Sequence, residues 1–127
     1  MFEIAPVLMK LIYVIEDDSD VTALLQELFI QKEYDGTFFS DSRKAIFEIE
    51  QKQPNLIITD LMMPNFDGFQ LCSYLKNNSK TKRIPIIAMT GYDSPDNRKK
   101  VFASGIDDYI PKPFDLVDMV HKIEKYL

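Results

Sequence analysis

Short apolar runs alternate along this chain with longer stretches in which apolar residues recur every three or four positions. The runs are Leu11-Ile12-Tyr13-Val14-Ile15, Asn55-Leu56-Ile57-Ile58-Thr59 and Ile84-Pro85-Ile86-Ile87-Ala88-Met89, with a shorter one at Tyr109-Ile110-Pro111. Uninterrupted runs of this length predict strands buried on both faces, the habit of a parallel sheet. Gly36 predicts a turn, and Thr37-Phe38-Phe39 after it a short β-prone segment.

Between the runs the period changes to that of a helix. Val21, Leu24, Leu25 and Leu28 predict one helical face, with Ser19 or Asp20 as the cap. Asp41-Ser42 opens a second helix with Ala45, Ile46 and Ile49 inward, stopped by Pro54. Gly68, Leu71, Cys72 and Leu75 form the inner face of a third, which dissolves in Asn77-Asn78-Ser79. Ser94-Pro95 is a cap followed by proline at the first helical position, and Gly105 supplies a left-handed stop. Leu116, Val120, Ile123 and Leu127 make the stripe of a last helix. Strands and helices in rough alternation predict an α/β fold: a doubly wound, five-stranded parallel sheet in the order 2-1-3-4-5, flanked by five helices.

Composition narrows the class. At 127 residues with 46% hydrophobic content, the sequence fits a single domain over 1–127 with a real core. A net charge of −5 argues against a direct nucleic-acid partner, which needs a basic footprint. Cys72 is alone, so no disulfide framework exists, and no apolar run approaches the roughly 20 residues of a membrane span. A cytoplasmic protein with no membrane partner is the expectation.

The chemistry lies where the runs end. The first stops in Glu16-Asp17-Asp18, the third in Asp60, the fourth in Thr90-Gly91 and the fifth in Lys112-Pro113. In an open α/β sheet these ends share one edge, where ligands bind. Three carboxylates from Glu16, Asp17 and Asp60 repel one another and are tolerable chiefly around a cation. All the donors are oxygens, with no His or Cys among them, so Mg²⁺ fits better than Zn²⁺. Asp60 could itself attack phosphorus, with the Lys112 charge and the Thr90 hydroxyl on the phosphoryl oxygens. Taken singly, the acidic run reads as a solvated loop edge, Lys112 as a surface lysine and Thr90 as a helix cap. Together on four strand ends they are not readily accidental. No glycine-rich phosphate loop is present, and His121, on the last helix, has no partners for a hydrolytic triad.

From Met9 to Leu127 the chain resembles the receiver domains of bacterial two-component response regulators, a CheY-like, flavodoxin-like fold. Glu16-Asp17-Asp18 is similar to the acidic pair after the first strand. Thr59-Asp60-Leu61-Met62-Met63-Pro64-Asn65-Phe66-Asp67-Gly68 is similar to the phosphoacceptor segment. Thr90-Gly91 resembles the switch hydroxyl with its small neighbour, and Asp108-Tyr109-Ile110-Pro111-Lys112-Pro113-Phe114 the fifth strand with its Lys-Pro-Phe ending. The resemblance implies Asp60 as phosphoacceptor and Asp17 and Asp60 as Mg²⁺ ligands. Glu16 would act through water, and the Met62 backbone carbonyl would complete the protein ligands. It implies Thr90 and Lys112 on the phosphoryl group, Tyr109 as the aromatic switch and a cis Lys112–Pro113 bond. Pro111 fits only where its missing N–H would face an unpaired edge of the fifth strand.

The function expected is a phosphorylation-dependent signalling module. It would accept a phosphoryl group from a histidine kinase or histidine phosphotransfer protein and signal through the face of the fourth helix, fifth strand and fifth helix. It would act as a monomer or a phosphorylation-dependent homodimer, as a stand-alone regulator or as the receiver of a longer protein. A Mg²⁺-dependent phosphatase is the enzymatic rival, but Met62 occupies the place two residues after Asp60 where its general acid belongs. A flavodoxin-like cofactor binder is disfavoured by the missing phosphate loop. Met62 and Tyr92, two residues past Asp60 and Thr90, are expected to shield the phosphoryl group and lengthen its life.

Overall fold

In the computed structural model, which describes residues 10–63 and 67–127, the apolar runs become a five-stranded sheet. Its strands are β1 (Leu11–Ile15), β2 (Asp35–Phe39), β3 (Leu56–Asp60), β4 (Ile86–Thr90) and β5 (Asp108–Pro111). All pairings are parallel and the order is β2-β1-β3-β4-β5, as the alternation predicts. The helices are α1 (Ser19–Lys32), α2 (Ser42–Gln51), α3 (Gly68–Lys76), α4 (Pro95–Ala103) and α5 (Leu116–Tyr126).

Every residue of β1, β3 and β4 is buried, because the side chains alternate between two helical layers. Leu11, Tyr13, Ile15, Ile57, Ile86 and Ala88 face α2, α3 and α4 through Ala45, Ile49, Leu71, Cys72, Leu75 and Val101. Ile12, Val14, Leu56, Ile58, Ile87 and Met89 face α1 and α5 through Leu25, Leu28, Phe29, Met119 and Ile123. Each fully buried Ile or Leu contributes on the order of 1.5–3 kcal/mol. Cys72 belongs to this core: its thiol donates to the Ser104 carbonyl at 3.2 Å, and burial pushes its pKa up to about 11.

All five helices begin on a side-chain cap at the carboxyl edge of the sheet: Asp18, Asp41, Asp67, Ser94 and Asp115. The first differs from expectation. Asp18, neither Ser19 nor Asp20, caps α1, accepting from the Asp20 N–H at 2.8 Å and the Val21 N–H at 3.4 Å. Its backbone is still extended, whereas Ser19 is already helical. This commits the Asp18 side chain to the helix, while its backbone N–H donates to Glu16 Oε1 at 3.1 Å.

Two further expectations are corrected. Leu24 is 43% exposed, since the arc of α1 that meets the sheet is set by Leu25, Leu28 and Phe29. Gly36 is no turn; it lies inside β2 opposite Ile12. A Cβ there would come within 2.4 Å of the Phe29 ring, so the close approach of α1 demands glycine. Gly105 does stop α4, at φ 87°. The Lys112–Pro113 bond is cis. Pro111 fits the edge: the Lys112 N–H donates to the Thr90 carbonyl at 2.7 Å, and N–H directions alternate along a strand, so position 111 faces away from β4. Pro64 of the turn expected after Asp60 lies outside the described residues.

Candidate functional site

Strand polarity assembles the site. Because all five strands run the same way, the ends of β1, β3 and β5 deliver Glu16, Asp60 and Lys112 to one edge. The backbone after β1 is fixed by the Glu16 N–H donating to the Phe39 carbonyl at 2.9 Å, which extends the β1–β2 pairing by one residue. Carboxylate oxygens of Glu16, Asp17 and Asp60 lie within 4.8 Å of one another. Glu16 and Asp60 are buried, whereas Asp17 is exposed.

Lys112 reaches across the sheet to both buried acids. Its Nζ stands 2.8 Å from Glu16 Oε2 and 3.0 Å from Asp60 Oδ2. The other oxygen of Asp60, Oδ1, accepts the Met62 backbone N–H at 3.0 Å, so the carboxylate is held at both ends. Three carboxylates against one ammonium leave a formal excess of two negative charges. Burial raises the pKa of Glu16, and the charge of Asp60 adds to it; the hydrogen bond from Lys112 only partly offsets them. For Lys112, burial favours the neutral amine, but hydrogen bonds to Glu16 and Asp60 outweigh it and raise its pKa. An all-oxygen donor set carrying surplus negative charge in a half-buried cleft suits a hard divalent cation.

Thr90 is buried at the end of β4, one step past Met89, the register partner of Asp60. Its hydroxyl is engaged with the turn into α4. It donates to the Tyr92 carbonyl and accepts the Tyr92 N–H, each at 3.1 Å. Tyr109, on β5, is half-buried on the outer side of the same turn. Its ring meets Phe102 edge-on at 5.8 Å, lies 5.8 Å from the Arg98 guanidinium, and its hydroxyl is 3.4 Å from Asp93 Oδ1. Met62 and Tyr92 are 72% and 69% exposed. His121 is exposed on α5, remote in sequence and element from this edge.

The structure thus brings together Glu16, Asp17, Asp60 and Lys112, with the Met62 backbone alongside. Thr90 and Tyr109 are tied instead to α4. The residues that tie them, Asp93, Asn97 and Arg98, escaped the sequence reading. Their one signal was position, three to eight residues past Thr90 at the end of an apolar run, and an exposed polar helix start carries no periodic mark.

Residues 12–124 match the family described as the response regulator receiver domain. The chain is 34% identical over 119 residues to the DNA-binding dual master transcriptional regulator RpaA of Synechocystis sp., covering 94% of this chain and 49% of that protein. It is 33% identical over 115 residues to the heme response regulator HssR of Staphylococcus aureus, covering 90% and 50%. The chain therefore spans about half the length of these two regulators. Among solved structures, the signal receiver domain of a signal transduction histidine kinase from Syntrophus aciditrophicus superposes with a TM-score of 0.86 at 28% identity, covering 93% and 89% of the two chains.

Proposed function

The chain belongs to the family of response regulator receiver domains, and on that premise we propose that Asp60 is its phosphoacceptor within the Glu16–Asp17–Asp60–Lys112 cluster. The observation that carries the assignment is the surplus of carboxylate around a single lysine. A purely structural ion pair would balance its charges; this arrangement suits a site that awaits a cation and an electrophile.

In the transfer, a carboxylate oxygen of Asp60 attacks the phosphorus of a phosphorylated histidine. A P–O bond forms as the P–N bond breaks, and the departing imidazole nitrogen keeps the electron pair and takes up a proton. The product is an acyl phosphate. The Met62 N–H fixes the rotation of the Asp60 carboxylate, so the nucleophile is presented in one orientation. Lys112, already at Asp60 Oδ2, is positioned to follow the phosphoryl oxygens as they arrive. Glu16, Asp17 and Asp60 would hold Mg²⁺ together with the Met62 backbone carbonyl. When bound, that ion supplies positive charge to neutralise the phosphoryl group.

The donor is a histidine kinase or histidine phosphotransfer protein, and the readout a protein that meets the α4–β5–α5 face, where Tyr109 lies. We read the module as cytoplasmic and as a signalling domain, its chemistry limited to its own phosphorylation and dephosphorylation. No helix among the described residues is long and apolar enough to cross a membrane. Met62 and Tyr92 would screen the phosphoryl group from water. Replacing Met62 by Asn and Tyr92 by Glu should then speed its loss, and an unchanged decay would remove that role.

Incubation with acetyl phosphate and Mg²⁺ should add one phosphoryl mass, and Asp60→Asn should abolish the addition. Multiple turnover on a generic phosphate ester would instead identify a phosphatase.

A further inference from the structure

Both residues expected to move on phosphorylation are fastened to the first turn of α4. Asn97, at the third position of that helix, donates from Nδ2 to the Tyr92 carbonyl at 2.6 Å and reaches Thr90 Oγ1 at 3.4 Å. The assignment of its amide is fixed by chemistry, because a carbonyl can only accept. Its own backbone N–H is capped by Ser94 Oγ at 3.1 Å, which anchors the side chain over the turn. One residue on, Arg98 grips Asp93 with two hydrogen bonds, at 2.8 and 3.0 Å, and lies over the Tyr109 ring. Asp93 in turn meets the Tyr109 hydroxyl. The Tyr92–Arg98 segment therefore holds the Thr90 hydroxyl on one side and the Tyr109 ring on the other.

We propose that Asn97 is a positioning residue for phosphoryl acceptance, the catch that keeps the Thr90 hydroxyl on the β4–α4 turn until Asp60 is phosphorylated, with the Asp93–Arg98 pair keeping Tyr109 outward. This rests on Asp60 as the phosphoacceptor. For Thr90 to donate to a phosphoryl oxygen, its hydroxyl must give up the Tyr92 carbonyl. Asn97 braces that carbonyl and contacts the same hydroxyl, so it stabilises the resting arrangement, and its contact to the hydroxyl is lost once Thr90 has left. A group acting only on the resting state raises the barrier to acceptance without altering the life of the product.

The test measures two rates on the 127-residue chain: phosphorylation by acetyl phosphate with Mg²⁺, and loss of phosphate after the donor is removed. Asn97→Ala should accept phosphate about fivefold faster, the value of one modest hydrogen bond, with an unchanged loss rate. Asn97→Leu keeps the branched side-chain shape but lacks the donor, and should match Asn97→Ala; thermal melts confirm that both variants fold. Wild-type kinetics in the Leu variant would show that volume matters and the hydrogen bond does not, which overturns the catch. Equal changes in both rates, or none, would also overturn it. Asp60→Asn runs in parallel. If it still takes phosphate, the phosphoacceptor reading fails; if it does not and Asn97→Ala behaves as wild type, only the catch fails.

Discussion

Among the described residues, two places set a lysine against a buried carboxylate, and they differ in how the charge is balanced. At the foot of β5, Asp108 meets Lys122 at 2.9 Å, Lys125 at 3.7 Å, the Tyr126 hydroxyl at 3.1 Å and the Tyr109 N–H at 2.9 Å. Burial alone would raise its pKa, but hydrogen bonds from Lys122, the Tyr109 N–H and Tyr126 hold it below the ordinary carboxylate value. At the opposite edge, Lys112 alone serves Glu16 and Asp60, and the pKa of Glu16 is raised. The first arrangement satisfies its charge and pins α5 to the sheet. The second leaves charge over. A lysine–carboxylate pair is thus no mark of function by itself; the unbalanced remainder is.

The largest effect should come from removing the one cation of the site. Lys112→Met should slow phosphoryl acceptance by about 100-fold or more, the usual loss for one preorganised charge donor, measured with acetyl phosphate. A rate near wild type would place Lys112 among merely structural pairs. Removing the satisfied acid should instead cost stability. Asp108→Asn leaves two lysines without their anion and should lower urea-unfolding stability by about 1–3 kcal/mol. Glu16→Gln, by contrast, relieves repulsion and should leave stability unchanged or raised. If both acids prove equally stabilising, the contrast between the two clusters collapses.

Mg²⁺ should act on one cluster only. At ten times its dissociation constant it should stabilise the fold by about 1.4 kcal/mol, and Asp17→Asn should erase the effect while Asp108→Asn keeps it. A melting temperature indifferent to Mg²⁺ in the wild type would contradict the site. The smallest effect is that of pH. A carboxylate whose folded pKa lies below its unfolded value of about 3.9 stabilises above that value and loses the contribution as pH falls through the folded pKa. The stability gap between wild type and Asp108→Asn should therefore close on acidification below about pH 4. A gap constant across that range would mean that Asp108 acts through packing alone.

The legible parts of the molecule were those that repeat. β1, β3 and β4 announce themselves because burial on both faces demands continuous apolar runs, and the shared strand polarity then carries Glu16, Asp60 and Lys112 to one edge. Gly36 misled because the same residue serves a turn or a tight helix–strand approach, and only the position of Phe29 decides between them. Leu24 misled because spacing defines a face but not its width. Ser19 or Asp20 looked like the cap of α1 because sequence alone does not say which residue is still extended, and that residue is Asp18. Asn97 and Arg98 were silent for a different reason: their partners, a carbonyl and a ring edge, are set by the course of the β4–α4 turn and leave no pattern in the sequence.

The central claim, that the unbalanced cluster exists to phosphorylate Asp60, is tested most directly by locating the phosphoryl group. Protein treated with acetyl phosphate and Mg²⁺ can be reduced with borohydride, which converts an aspartyl phosphate to homoserine, and the peptides sequenced by tandem mass spectrometry. The cluster predicts homoserine at position 60 and nowhere else; an intact Asp60 with reduction at another acid would contradict it.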